Sequence, residues 1–139
     1  MKKILILCTG NSCRSQMAEG LLSNFAPNFK VYSAGTKPQL VNAFAIKAMA
    51  EINIDISKNT SNHVDEFIDS DFDFVFTVCD NARDICPIHL KSKNIIHHNF
   101  IDPANAKGTY NEQLEVYVNV RNQLSNFFKD FVLKMKFNK

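Results

Sequence analysis

The residues best suited to chemistry form one stretch near the N-terminus, CTGNSCRS at positions 8–15, between an aliphatic run and a segment with helical periodicity. A loop between a buried strand and a helix N-terminus directs backbone N–H groups at one point, where the helix dipole adds positive potential. The spacing Cys-x5-Arg puts the Cys8 sulfur at the floor of this cradle and the guanidinium fork of Arg14 at its rim. We therefore predict that Cys8 attacks a tetrahedral oxyanion held by the loop. The expected ligands of that oxyanion are Thr9, Gly10, Asn11, Ser12, Cys13, Arg14 and Ser15.

The same positive potential should stabilise a thiolate, so the pKa of Cys8 is expected in the depressed range of roughly 3.5–7.5. Ser15 is expected to donate a hydrogen bond to this thiolate, and the Asn11 amide to brace the loop. A cysteine six residues before an arginine also occurs by chance. Here only three arginines are present, and one falls at this spacing inside a strand–loop–helix frame. The context favours a catalytic cysteine over a structural thiol.

Composition limits the classes of protein to consider. At 139 residues, of which 45% are hydrophobic, the chain is expected to form one domain over residues 1–139. The net charge of +2 and scattered basic residues argue against nucleic-acid or membrane partners. No segment approaches the roughly 20 apolar residues of a membrane span, and the first aliphatic run is too short for a signal peptide. We expect a cytoplasmic monomer whose four cysteines serve catalysis, redox chemistry or metal binding.

Strand and helix patterns alternate along the chain. The pattern predicts strands at 3–7, 30–33, 72–78 and 94–100, and helices at 14–25, 41–52, 62–68 and 111–135. This order predicts an α/β domain with a four-stranded parallel sheet and helices on both faces. Such sheets bind ligands at the carboxyl ends of their strands. Cys8, Cys79 and Asp102 all follow predicted strand ends, so we expect them at one rim.

Asp102 is the candidate general acid. Pro103 restricts its backbone to an extended form, and a carboxyl facing Cys8 could protonate a leaving oxygen. The alternative is an Asp that caps a turn or helix.

Cys79 and Cys86 flank a polar segment and suit redox chemistry. Neither the spacing of the four cysteines nor that of the histidines matches a zinc site, and Cys13 is expected to pack rather than react. If the segment after Cys79 is helical, seven residues rise about 10.5 Å. A disulfide needs Cα atoms roughly 4.4–6.8 Å apart. We therefore predict that residues 80–86 unwind when Cys79 and Cys86 are oxidised.

Taken together, these residues resemble the thioredoxin-coupled arsenate reductases, which are built on the low-molecular-weight tyrosine phosphatase fold. The resemblance spans nearly the whole chain and includes residues 8–20, 31–35 and 54–57, the cysteines at 79 and 86, and Asp102–Pro103. It implies arsenic detoxification through a relay. Cys8 forms a thiol–arsenate adduct, Cys79 releases arsenite by forming a disulfide with Cys8, and Cys86 then attacks Cys79. The resemblance also implies that thioredoxin, with thioredoxin reductase, reduces the final disulfide.

Some members of this family bind potassium beside the anion loop through an Asn, a Glu, a Ser and an Asp. Asn11, Glu19 and Ser33 match the first three positions, but Asn62 stands where the Asp would be. A neutral amide coordinates a cation more weakly than a carboxylate does. Potassium binding and its absence both stay open, and no tightly bound cofactor is expected.

A phosphomonoesterase is the main rival, because Cys8, Arg14 and Asp102 would also hydrolyse a phosphate ester. A tyrosine phosphatase of this fold usually carries aromatic residues beside the acid, whereas Ala-Asn-Ala follows Pro103 here. It also has no use for Cys79 and Cys86. A non-catalytic anion-binding or thioredoxin-partner module is the third alternative. The sequence favours arsenate reduction, with which a weak residual phosphatase activity is compatible.

Overall fold

The structure, a computed structural model, describes residues 2–79, 91–92 and 94–137. Its main sheet has four parallel strands: β1 (Lys3–Cys8), β2 (Lys30–Gly35), β4 (Phe74–Thr77) and β6 (Ile95–His97). They lie side by side in the order β2-β1-β4-β6. Two short strands, β3 (Asp71–Phe72) and β5 (Lys91–Ser92), form a separate parallel pair. The predicted four-stranded parallel sheet is confirmed.

β1 lies inside the sheet because its aliphatic residues are buried on both faces, which is typical of a central parallel strand. Its register sets Cys8 opposite Gly35 of β2 and Leu7 opposite Thr77 of β4. The residues that follow these strands therefore emerge at one edge of the sheet.

The single strand predicted at 72–78 is divided into β3 and β4, and Asp73 is the reason. Its carboxylate accepts a hydrogen bond from the Lys3 N–H at 2.9 Å, and its own N–H donates to the Lys3 carbonyl at 2.9 Å. These two hydrogen bonds hold the start of β4 against the start of β1. Phe72, just before Asp73, pairs instead in the smaller sheet. β6 is likewise shorter than predicted, ending at His97.

Three α-helices are described: α1 (Arg14–Phe25), α2 (Ala43–Ala50) and α3 (Tyr110–Phe137). α3 packs against α1 and covers the face of the sheet that carries Phe74 and Phe76, through edge-to-face ring contacts. On the other face, a 3₁₀ helix at Val64–Phe67 contributes to a ring cluster of Tyr32, Phe67 and Phe72. Within the described ranges, no helix combines the length and apolar character needed to cross a membrane.

Both ends of α2 are tied to other elements. The Asn42 side chain caps its N-terminus by accepting from the N–H groups of Phe44 and Ala45 at 2.8 and 3.2 Å. At the other end, Arg121 of α3 donates to the Ala48 carbonyl at 2.7 Å. α2 therefore connects α3 to the segment before Asn42.

Candidate active site

The loop between β1 and α1 is held from inside by Asn11. Asn11 adopts a left-handed conformation with φ of 48°, which asparagine tolerates better than most residues. Its Nδ2 donates to the hydroxyls of Ser15 at 2.8 Å and Ser33 at 2.9 Å. Its Oδ1 accepts from the Asn62 N–H at 2.8 Å. These bonds provide the bracing expected of Asn11.

Gly35 fixes how closely β2 approaches this loop. A Cβ at this position would lie 2.5 Å from the Thr9 carbonyl oxygen and 2.9 Å from the Asn11 nitrogen. Both are backbone atoms, so they could yield only if the loop moved. Only glycine allows this approach.

The segment at 36–42 runs along the outer side of the loop. The N–H groups of Lys37, Gln39 and Asn42 donate to the carbonyls of Thr9, Gly10 and Ser12 at 2.9, 2.8 and 3.0 Å. The loop carbonyls are therefore turned toward this segment rather than toward a ligand in the cradle.

A polar pocket of about 160 Å³ opens between the loop, the 36–42 segment and the turn after β6. Its charged lining residues are Arg14, Lys37 and Asp102. A larger cavity of about 680 Å³ lies at the opposite end of the sheet, against Lys2 and Phe25. Cys8 is buried and does not itself line the smaller pocket, but Thr9, the next residue in the chain, and Arg14 do. The smaller pocket is therefore the candidate active site.

Arg14 is buried beneath the rim of this pocket, with 9% of its surface exposed. Nη1 donates to the Phe100 carbonyl at 2.9 Å, and Nη2 lies 3.6 Å from the Asp102 carboxylate. Its Nε, also buried, has no hydrogen-bond partner among the described residues. A buried N–H without a partner is costly, which indicates a site built to receive an acceptor. The α1 N-terminus that follows the loop has no side-chain cap either.

Asp102 has the capping role that the sequence offered as one alternative, and it also lines the pocket, so the role of general acid stays a prediction. One carboxylate oxygen accepts from the Ala104 N–H at 3.0 Å and caps a 3₁₀ helix at Pro103–Asn105. The other oxygen is paired with Arg14, and the side chain is 36% exposed toward the pocket.

Cys8 ends β1, Cys79 follows the neighbouring strand β4, and both are buried. The Cys79 sulfur lies 3.3 Å from the Thr9 hydroxyl. Hydrogen bonding with Cys79 and burial raise the pKa of Cys8 well above its usual value, against the opposing effects of Arg14 and the Thr9 N–H. The expected depressed pKa is therefore wrong for this arrangement. A second sulfur and the exclusion of water outweigh the cationic cradle.

Cys13 packs between the loop and α3. Its thiol donates to the Tyr117 hydroxyl at 4.0 Å, and burial raises the pKa of the Cys13 thiol. Burial also raises the pKa of Tyr117, whose ring stacks on Phe44 at 5.1 Å. Sequence reasoning missed this contact between Tyr117 and the loop.

The residues considered for potassium form a hydrogen-bonded network behind the loop. The Ser33 hydroxyl and the Asn59 amide donate to the two oxygens of Glu19 at 2.9 and 3.0 Å. The Asn62 amide donates to the Ser33 carbonyl at 3.3 Å. A hard cation needs several oxygen lone pairs directed at one point, whereas these oxygens already face N–H or O–H donors. In this arrangement the residues do not fit a potassium ion.

Burial raises the pKa of Glu19. Among the residues with described structure, no cluster of three or more His, Cys, Asp or Glu side chains could hold a metal ion.

The structure thus brings Cys8, Arg14, Asp102 and Cys79 to one edge of the sheet. Cys86, and with it the predicted unwinding of residues 80–86, lies outside the described residues. Ser15 accepts from Asn11, and its bond to a Cys8 thiolate stays a prediction. Sequence reasoning missed Lys37 and Gln39 in the lining of the pocket.

Comparison with known proteins connects this site to a family. A family model for low molecular weight phosphotyrosine protein phosphatases matches residues 3–135. The arsenate reductase of Halalkalibacterium halodurans is 45% identical over 131 residues, which are 94% of each chain. The arsenate reductase of Bacillus subtilis is 45% identical over 134 residues, again 94% of each chain.

Solved structures show the same similarity to arsenate reductases. An arsenate reductase in the phosphate-binding state matches with a TM-score of 0.83 and 32% identity, over 96% of this chain and 98% of that one. An arginine phosphatase at 22% identity, with a TM-score of 0.77, shares the fold alone. The chain therefore belongs to the low molecular weight phosphotyrosine protein phosphatase family, in the group that includes these arsenate reductases.

Proposed function

We propose that this protein reduces arsenate to arsenite, with Cys8 as nucleophile and thioredoxin as the final reductant. The observation that carries the proposal is the second sulfur, Cys79, which is buried after the strand next to that of Cys8 and lies 3.3 Å from the hydroxyl of Thr9, the residue that follows Cys8. A hydrolase needs one sulfur at this place, whereas a reductase needs another to take over the oxidation of the first. The arsenate reductases among the relatives support the same chemistry.

In the first step, arsenate binds against the loop N–H groups and the unpaired Nε of Arg14. The Cys8 sulfur attacks arsenic(V), a sulfur–arsenic bond forms and an arsenic–oxygen bond breaks. Because the pKa of Cys8 is raised, the thiol first gives its proton to an oxygen of the bound oxyanion. From there the proton passes through Asp102, the general acid, to the departing hydroxide, which leaves as water.

In the second step, the Cys79 sulfur attacks Cys8. The sulfur–arsenic bond breaks with its electron pair left on arsenic, which departs as arsenic(III), and the Cys79 proton passes to an arsenite oxygen. The two thiols lose two electrons and become a Cys8–Cys79 disulfide. Cys86 then attacks Cys79 and releases the Cys8 thiolate, and the dithiol of thioredoxin reduces the Cys79–Cys86 disulfide.

Single cysteine-to-serine variants test this relay. Arsenate turnover is measured with thioredoxin, thioredoxin reductase and NADPH. We expect turnover to be lost in Cys8→Ser, Cys79→Ser and Cys86→Ser, and to stay near normal in Cys13→Ser, whose thiol packs against Tyr117. Hydrolysis of an aryl phosphate should require Cys8 alone. Undiminished arsenate turnover without Cys79 and Cys86 would refute the relay and favour the phosphatase alternative.

A further inference from the structure

The charges around the oxyanion pocket do not add up to a strong anion site without one further residue. Arg14 lies 3.6 Å from the Asp102 carboxylate, so these two opposite charges largely cancel. Arsenate near neutral pH is a mixture of monoanion and dianion. Desolvating such an ion requires positive charge beyond the partial charges of the loop N–H groups.

Lys37 is the third charged residue that lines the pocket. Its backbone is fixed, because its N–H donates to the carbonyl of Thr9 at 2.9 Å. Thr9 is the residue that follows Cys8 in the chain. Gln39, two residues later, donates to the Gly10 carbonyl at 2.8 Å. Its carboxamide lies over Gly10, 3.8 Å from where a Cβ would be. Lys37 thus belongs to a segment that is hydrogen-bonded to the anion loop, and it is exposed where this segment lines the pocket.

We propose that Lys37 is an oxyanion-binding residue whose ammonium group supplies the net positive charge of the pocket. This inference rests on the proposed function, because it assigns a ligand to the same site. With Lys37 the charged side chains of the pocket sum to +1, from Arg14, Lys37 and Asp102; without it they sum to zero. Lys37 favours binding of the substrate rather than the chemical step, since it stands at the rim and not beside the Cys8 sulfur.

The size of the effect follows from Coulomb's law. A unit charge about 4 Å from the anion in a water-like medium is worth about 1 kcal/mol, or about fivefold in affinity. Lys37→Gln should therefore weaken oxyanion binding about fivefold, and Lys37→Glu about 25-fold. The loss should shrink as the Debye length falls from about 30 Å at 0.01 M salt to about 8 Å at 0.15 M.

The test measures the Kd of inorganic phosphate by calorimetry on the reduced protein, together with KM and kcat for arsenate. Lys37→Arg keeps the charge and should stay near the wild type. The matched control is Lys134→Gln, which makes the same change of net charge on the distant part of α3, where Lys134 pairs with Asp130 on the surface. We expect Lys37→Gln to raise Kd and KM with little change in kcat, and Lys134→Gln to change neither.

The outcomes separate this inference from the proposed function. A wild-type protein that binds phosphate and turns over arsenate, with a Lys37→Gln variant of equal Kd at low salt, overturns the role of Lys37 alone. Equal losses in Lys37→Gln and Lys37→Arg would also overturn it, because they would show a packing effect rather than a charge effect. A wild-type protein that binds neither phosphate nor arsenate would overturn both proposals.

Discussion

Two polar regions lie on either side of the anion loop, and they differ in how completely their groups are paired. On the outer side, the pocket is lined by Arg14, whose buried Nε has no partner among the described residues, and the following helix α1 begins without a side-chain cap. On the inner side, the network of Asn11, Glu19 and Ser33 is occupied by donors from Asn59 and Asn62. Both regions are rich in the residue types that bind ligands. Among the residues that the structure describes, only the outer one has a buried side-chain N–H group without a partner.

The comparison shows that residue type alone does not distinguish a binding site from a structural network. Asn11 belongs to both regions: its backbone forms part of the loop and its side chain joins the inner network. The paired region holds the shape of the loop, and the unpaired region uses that shape to bind an oxyanion. Three predictions test this division, from the largest expected effect to the smallest.

Gly35→Ala should displace the anion loop and so disturb both polar regions, because the added Cβ would collide with the backbone of Thr9 and Asn11. Displacing the loop by a fraction of an ångström to one ångström should lower arsenate turnover about 100-fold. The added methyl group should also lower the free energy of unfolding by about 1–3 kcal/mol. Turnover and urea unfolding measure the two effects.

The control for this change is Gly20→Ala on α1. Its Cβ would lie 3.0–3.1 Å from side-chain carbons of Ile56, Ile54 and Met49, which can shift, and alanine favours the helix by about 1 kcal/mol. We expect nearly normal turnover. Full activity in Gly35→Ala would mean that β2 does not set the position of the loop.

Cys79→Ala tests the electrostatics of the outer region, because it should change the pKa of Cys8. Cys79 raises the pKa of Cys8 through its hydrogen bond and its charge, so its removal should lower that pKa. More Cys8 is then thiolate at neutral pH. Alkylation of Cys8 by iodoacetamide should move to lower pH and become about tenfold faster at neutral pH for each unit by which the pKa falls.

Mass spectrometry of the Cys8 peptide follows this reaction separately from the other thiols. Cys13→Ala is the matched control, because Cys13 is not among the groups that shift the pKa of Cys8. An unchanged pH profile in Cys79→Ala would show that burial alone, and not the second sulfur, keeps Cys8 protonated.

The smallest effect is expected from exchanging monovalent cations. Because the inner network is already paired, arsenate turnover should be the same in potassium and in sodium at equal ionic strength. Asn62→Asp replaces an N–H donor by a carboxylate oxygen next to Ser33 and should create a potassium response. Asn28→Asp, an exposed change at the opposite end of the sheet, should not. Potassium stimulation of the wild type would contradict the fit described for the network.

The sequence predicts elements well where one local pattern determines them. α1 spans the predicted residues because its helical periodicity is bounded by the polar loop and by Pro27, and β1 follows its aliphatic run. The split at Asp73 could not be predicted, because it depends on hydrogen bonds to Lys3, which is 70 residues away in sequence.

The same limit applies to the site. Cys8, Arg14 and Asp102 are marked by motif and by strand ends. The direction of the Cys8 pKa depends on contact with Cys79, which only the folded sheet provides. Lys37 carries no local signature, since an exposed lysine in an extended segment is unremarkable until the segment is seen against the loop.

The short helix α2 gives the pocket a mechanical connection to a distant part of the chain. Asn42 joins the start of this helix to Ser12 in the anion loop, and Arg121 joins its end to α3. A substitution at Arg121 would remove the bond that holds the end of this helix. The helix and the loop bonded to it would then shift, and the affinity for the substrate would change. Selection could therefore tune how tightly the enzyme holds its substrate through a residue that never touches it.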